Sequence, residues 1–338
     1  MGPLSTSQGL FVPPFDLKNQ KIGDKALIFP GLAHVGIYIL YDMSANKLLM
    51  GRFREANQAW KLTKELTRRL SHSVTTGLFF AFLSLMKYLR GDRLAMDQAK
   101  RIVDQLQNTH FSVFSHLILG QVLIDQGEYE SGFNMLEKAM NDLIHGIGPL
   151  SDVAYGHILL EACIRSGQVE KGLKFVNVIL SKCAEYNLEG SLGRSELWRL
   201  KGKLLLLKRR KQMMECTKQL FPSLSNSDLF TEIDSEMVER TTSEPLVDIT
   251  EVESLFKAAF QDAQSRGLLV IELKCAIELS QLYLEAGDSN LKAQSANMLR
   301  SVCAKFEDTP EFEGVVFPDY GTAVHLIQLL GKNDYRPQ

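Results

Sequence analysis

Residue types that carry chemistry occur along the whole of this 338-residue chain, but their spacing assembles none of the usual reactive sets. Gly190 and Gly193, in GSLGRS, have the glycine content of a phosphate-binding loop, yet no lysine follows to reach a phosphate, and no GxxxxGK[ST] run exists. The seven histidines form no HExxH pair. His110 and His116 are six apart, which puts them on different faces of a helix and makes them poor partners for one metal ion. No GxSxG elbow presents a serine nucleophile. Glu128 and Glu130 fall in a turn, where carboxylates are solvated rather than tuned for acid–base work. The five cysteines (Cys163, Cys183, Cys216, Cys275, Cys303) include no CxxC pair, and most fall at apolar helix positions. They predict buried free thiols and a reducing, cytoplasmic compartment. The basic run Lys208-Arg-Arg-Lys211 ends an apolar stretch and reads as a solvated helix end, where cations complement the helix dipole. It has no interleaved aromatics for RNA stacking. A net charge of −2 argues against nucleic acid or an anionic membrane as partner. The expectation is a non-enzyme, with no catalytic, cofactor-binding or metal residues.

The elements that position these residues are legible from glycine. In residues 114–139, FSHLILGQVLIDQGEYESGFNMLEKA, Gly127 interrupts two runs of helical period. Leu117, Gly120, Leu123 and Ile124 precede it; Gly132, Phe133, Leu136, Ala139 and Met140 follow. A glycine that enters the left-handed region ends a helix without a Cβ penalty, so the two helices must fold back antiparallel. Gly120 and Gly132 are then predicted to meet where the helices cross. The punctuation recurs as GRFREA at Gly51, GDRLAM at Gly91, GEYESG at Gly127 and GQVEKG at Gly167, with a weaker GDSNLKA at Gly287. The first four are spaced by 40, 36 and 40 residues, which is the period of a two-helix repeat.

The ladder Gly120, Gly127, Gly132, Leu136 and Ala139 resembles the tetratricopeptide repeat, with helices longer than that family's usual unit. Glu196-Leu-Trp-Arg-Leu-Lys-Gly202, then residues 252–283, then FEDTPEF (306–312) run in an order similar to the C-terminal repeat region of large signal-transduction ATPases. The same order resembles that region of class III adenylyl cyclases with an ATPase module. The resemblance implies an all-α, right-handed superhelical solenoid of about six hairpins with a C-terminal capping helix. It implies one of two roles. The first is a non-catalytic protein–protein interaction scaffold. The alternative is the regulatory C-terminal part of a cyclase or ATPase whose catalytic modules are absent from these residues.

The chain divides accordingly. Residues 1–25 form an N-terminal arm without periodicity. Residues 26–208 hold hairpins one to four (31–47 with 52–70, 73–90 with 93–107, 110–126 with 129–144, 151–166 with 169–186) and the first helix of hairpin five. Residues 209–249 are an acidic insertion; its start, KQMMECTKQLF, has helical character, whereas Ser223 to Asp248 lacks the apolar residues for a core and is expected to be mobile. Residues 250–332 complete hairpin five, form hairpin six and end in a capping helix near 319–331. Ala26 to Tyr41 is apolar, but Pro30, Gly31 and His34 interrupt it and it is too short to span a membrane. In such a solenoid the first helix of each hairpin lines the concave wall. Phasing from the glycines puts Tyr38, Tyr41, Leu78, Ala81, Phe114, Leu117 and Gln121 there, followed by His157, Glu161, Arg199, Lys203, Lys274 and Gln281. The wall passes from aromatic to charged, and the expected partner is a peptide or helical segment of another protein, acidic where it meets Arg199 and Lys203.

Overall fold

A computed structural model of the chain describes residues 30–70, 76, 79, 83, 86, 99–101, 103–104, 113–146, 149–186, 193–220, 245–306 and 310–332. Among these the protein is almost wholly helical. Hairpin one is α1 (Pro30–Leu49) with α2 (Phe53–Leu70); the next fully described pair is α3 (Val113–Gln126) with α4 (Tyr129–Gly146). Then come α5 (Pro149–Ser166) with α6 (Val169–Glu185), α7 (Arg194–Leu220) with α8 (Ile249–Ser265), and α9 (Leu269–Ala286) with α10 (Ser289–Cys303). A short antiparallel ribbon, β1 (Glu311–Phe312) and β2 (Val315–Val316), precedes the last helix, α11 (Pro318–Lys332). The expected N-terminal arm, most of hairpin two, and residues 223–244 of the insertion lie outside the described residues.

Each turn is built from the residues that announced it. Gly51, Gly127, Gly167 and Gly287 all adopt positive φ, between 69° and 87°. After Gly51 the Arg52 amide donates to Lys47 O; after Gly127, Glu128 donates to Leu123 O; after Gly167, Gln168 donates to Cys163 O. These six-to-one bonds satisfy carbonyls that a helix end would otherwise leave bare. Gly267 repeats the motif between α8 and α9, with φ 68° and a bond from Leu268 to Ala263 O, a turn the sequence reading had not singled out. Asp248 and Asp288 cap α8 and α10, accepting from the amides of Thr250 (2.8 Å) and Asn290 (2.7 Å).

Small residues sit where paired helices cross. A Cβ on Gly120 would lie 2.8 Å from Gly132 O, and one on Gly132 would lie 2.8 Å from Gly120 O, so the two glycines meet as expected. The equivalent pair in hairpin one, seven before and five after Gly51, is Ser44 and Ala56; the buried Ser44 hydroxyl donates to Ala56 O at 2.9 Å. Gly172 presses on Leu204 of the next hairpin, and Gly202 on the Phe256 ring.

The order of contacts is regular. Every second helix from α4 onward touches the first helix of the following hairpin, and α3, α5, α7, α9 and α11 touch one another in sequence. One large apolar cluster, which includes the fully buried Trp60 and Phe133, runs through them, and the fully buried Phe256 belongs to a smaller one beside it. Two features depart from expectation. First, α7 continues to Leu220, well past residue 208, because nothing between Gly202 and Pro222 breaks a helix. The basic run is therefore mid-helix, and three of its cations have separate partners: Lys208 pairs with Glu170 at 2.9 Å, Arg209 donates to Val247 O at 2.5 Å, and Arg210 pairs with Glu285. The Gln212 amide brackets the returning chain, donating to Pro245 O (3.3 Å) and accepting from Val247 N (3.1 Å), so the end of the insertion is held by its backbone. Second, the two ends meet. α9 touches α1, β1 touches α2, and the Gly51 turn rests on Leu269 and Phe306. Phe53 lies edge-on to Phe317 with centroids 5.9 Å apart.

Candidate functional site

The described residues read from the sequence as a common wall come from α1, α3, α5, α7 and α9, and the structure brings His157, Glu161, Arg199, Lys203 and Lys274 together. At the centre is Arg199 in α7. Its guanidinium donates twice to Glu196, Nε to Oε2 and Nη2 to Oε1, both at 2.7 Å, and once to Glu278 of α9 at 3.0 Å. Lys203, one turn on, reaches the same Glu278 oxygen at 3.1 Å, and Lys274 of α9 lies 3.8 Å from Glu196. From α5, His157 Nε2 stands 3.3 Å from Gly193 O. Glu161 adds its field to Arg199 and pairs with Arg165 at 3.8 Å; Arg165 in turn pairs with Asp125 of α3. Four carboxylates thus face four cations along successive first helices.

Burial sets the electrostatics. Arg199 and Glu196 are each about 4% exposed. Burial by itself would raise the Glu196 pKa, but Arg199 beside it and Lys274 behind it hold the carboxyl far below the usual range. Burial likewise opposes the charge on Arg199, and Glu196 and Glu278 overcome it. For His157 burial wins: its pKa falls below 6.5, although Glu196 pulls the other way. Of the cysteines, four are buried and Cys303 is half-buried; burial pushes the Cys163 thiol up to about 12.

The His157 shift has a measurable consequence. As pH falls below about 6.5 the unfolded chain takes up a proton that the folded chain refuses, so stability drops with pH in this window and is unaffected above it. His157→Gln should flatten the decline of the urea midpoint between pH 7.5 and 5.5. An unaltered slope would show that His157 titrates alike in both states.

Several expected wall residues are not presented to a ligand. Tyr41 and Leu117 are buried in the core, and Arg199 is enclosed by its own carboxylates. The reason is that α1, apolar nearly all round, is packed between α2 and α9, and that α3 is covered by both α4 and α5. Tyr38, by contrast, is 56% exposed. Gln121, Glu161, Lys203 and Lys274 are partly accessible. The Phe114 side chain, Leu78 and Ala81 lie outside the described residues. The expectation that Arg199 and Lys203 attract an acidic segment is corrected by pairing: both cations are already matched by Glu196 and Glu278. These acids escaped the sequence reading, although Glu196–Arg199 and Lys274–Glu278 stand at the i,i+3 and i,i+4 spacings of helical ion pairs.

Chemically the cluster is saturated. The Glu196 carboxylate is held ionised by its neighbours, the histidine is buried, and no group of three metal-ligating side chains converges among the described residues. No described helix is long and apolar enough to cross a membrane. A cleft of about 830 Å³ opens elsewhere, where the Gly51 turn, the start of α9 and β1 come together. Comparison with known proteins found no matching family model, no matching curated protein and no matching solved structure.

Proposed function

We propose that the chain is a non-catalytic interaction scaffold of the tetratricopeptide kind, a right-handed solenoid whose first helices form a wall that receives a peptide or helical segment of another protein. The observation that carries this reading is the alignment of α3, α5, α7 and α9. Side chains from four successive repeats share one ionic network, as on a continuous surface rather than in a pocket shaped for a metabolite. Because that network is neutral and internally paired, the recognition offered by its partly accessible members, Glu161, Lys203 and Lys274, is polar and directional rather than attractive for one sign of charge. Tyr38 supplies an exposed aromatic anchor at the other end. Within a longer polypeptide, the same wall is the regulatory repeat region of a cyclase or ATPase.

The test is a partner recovered with the chain as bait, then titrated against Tyr38→Ala and Lys203→Glu variants that remain folded. Each should weaken binding by about tenfold, the effect of losing one modest hot-spot contact. If both bind like the parent, while Lys174→Glu on the exposed face of α6 abolishes binding, the wall is not the interface.

A further inference from the structure

In three hairpins a glycine of the first helix marks where the second helix sits, and a large apolar side chain of that second helix fills the space. A Cβ on Gly120 would lie 2.7 Å from Leu136 of α4, one on Gly156 would lie 2.7 Å from Ile179 of α6, and one on Gly202 would lie 2.6 Å from the Phe256 ring of α8. In the array α11 stands as a first helix. It packs on α9 and α10, burying Ala323, Leu326 and Leu330 in the main apolar cluster, much as α9 packs on α7 and α8. Among the described residues no second helix follows it, and a Cβ on its own glycine, Gly321, would meet nothing within 4 Å. Leu329 projects from the same i+4 ridge, eight residues on, with His325 midway between; all three are exposed. From Tyr320 to Gly331 the helix carries no Asp, Glu, Lys or Arg. A terminal helix that faces only water normally has a polar outer side, whereas this one exposes Val324 and Leu329.

We propose that the open side of α11 is covered by α11 of a second copy of this chain, the two helices running antiparallel about a two-fold axis at His325. The ridge is complementary to itself in shape. Gly321 and Leu329 lie four residues to either side of His325, about 6 Å along the helix. The axis that brings the two histidines together therefore sets each Leu329 over the other copy's Gly321. Glycine is the hole and leucine the knob, as Gly156 and Ile179 are within one hairpin. The ridge also suits itself in charge. A two-fold contact brings the same patch of both copies together, so a charged centre would meet its like across the axis; the uncharged run from Tyr320 to Gly331 removes that repulsion. A helix from a different protein would need no such match of this ridge with its own reverse. The contact does not rest on the inner wall and leaves it open in both copies. One pair of helices is at the small end of specific interfaces, so the dimer is reversible, with a Kd on the order of 10 μM.

The measurement is sedimentation velocity of the full chain at pH 8, from about 1 to about 200 μM, a range that brackets the expected Kd. The parent should pass from monomer to dimer across it. Leu329→Glu and Gly321→Lys each alter an exposed position with room for the new side chain, so the array folds as before, with an unchanged far-UV spectrum. Each should weaken association by about tenfold or more, since each spoils both copies of the knob-and-hole contact. The two substitutions in one chain should restore it, because the introduced carboxylate of each copy then faces the introduced ammonium of the other; added salt should take the recovery away. Within a single helix the two positions are about 12 Å apart and cannot pair, so recovery reads contact between copies in this register. A parent that stays monomeric throughout, single variants that associate as the parent does, or a double variant no better than the singles would each overturn the proposal.

Discussion

Replacing Arg199 by leucine should lower the stability of the chain by about 3–5 kcal/mol, the cost of leaving a buried ionic partner uncompensated. Two carboxylates depend on this guanidinium. Glu196 receives two of its bonds at 2.7 Å and Glu278 a third at 3.0 Å, and neither has enough exposure for water to take over. Lys274 is 3.8 Å from Glu196 and cannot substitute for a bidentate contact. The measurement is the urea midpoint at pH 7. The intact ionic set is not thereby a large net source of stability, since desolvation offsets most of the attraction. The double variant Arg199→Leu with Glu196→Leu should therefore recover part of the loss. A single variant that unfolds at the parent's midpoint would show that solvent reaches the cluster.

Gly132→Leu should cost about 2–3 kcal/mol. A Cβ there meets Gly120 O at 2.8 Å and Ile124 N at 2.9 Å, both backbone atoms of α3, which cannot swing aside as a side chain would. The rest of the leucine then forces α3 and α4 apart, at the upper end of the cost of overpacking, while better helix propensity returns at most roughly 1 kcal/mol. Gly132→Ala should show most of the effect, because the first carbon already collides. Thermal melts of the two variants decide the matter: a Tm unchanged in both would mean that the crossing is looser than its geometry.

The parts of the fold written in local chemistry were legible from the sequence. Left-handed glycines, the apolar period around them and the small residues seven before and five after Gly51 and Gly127 rest on sterics within one hairpin. Hence α1 to α6 fall within a few residues of their expected bounds where described. What depended on distant partners was not legible. Arg199 and Lys203 lie near His157 and Lys274 on successive first helices, but their spacing carries no information about Glu278, 79 residues from Arg199, and so they read as open cations. The ribbon was missed for a related reason: two-residue strands have too little alternation to register, and this one is held by Asn57, 254 residues from Glu311. The extent of α7 was legible in part, since KQMMECTKQLF was given helical character and is helical to Leu220, but its continuity with the helix before it was not. A lapse in the repeat period suggested the start of an insertion, whereas the helix has no reason to stop before Pro222.

The meeting of the two ends bears on how this chain folds and comes apart. An array whose units touch only their neighbours can fray from either terminus, and its stability is a sum over adjacent pairs. Here α1 rests on α9 and α2 on β1, so fraying of the first hairpin must also break contacts with the last elements of the chain. Joining them requires closing a loop of more than two hundred residues, whose entropy cost grows only slowly with length but must be met before the contact forms. Assembly of the seam is therefore a late, slow event, and unfolding must begin by parting it. Amide exchange in α1 and α2 should then report the opening of the whole array rather than local fraying.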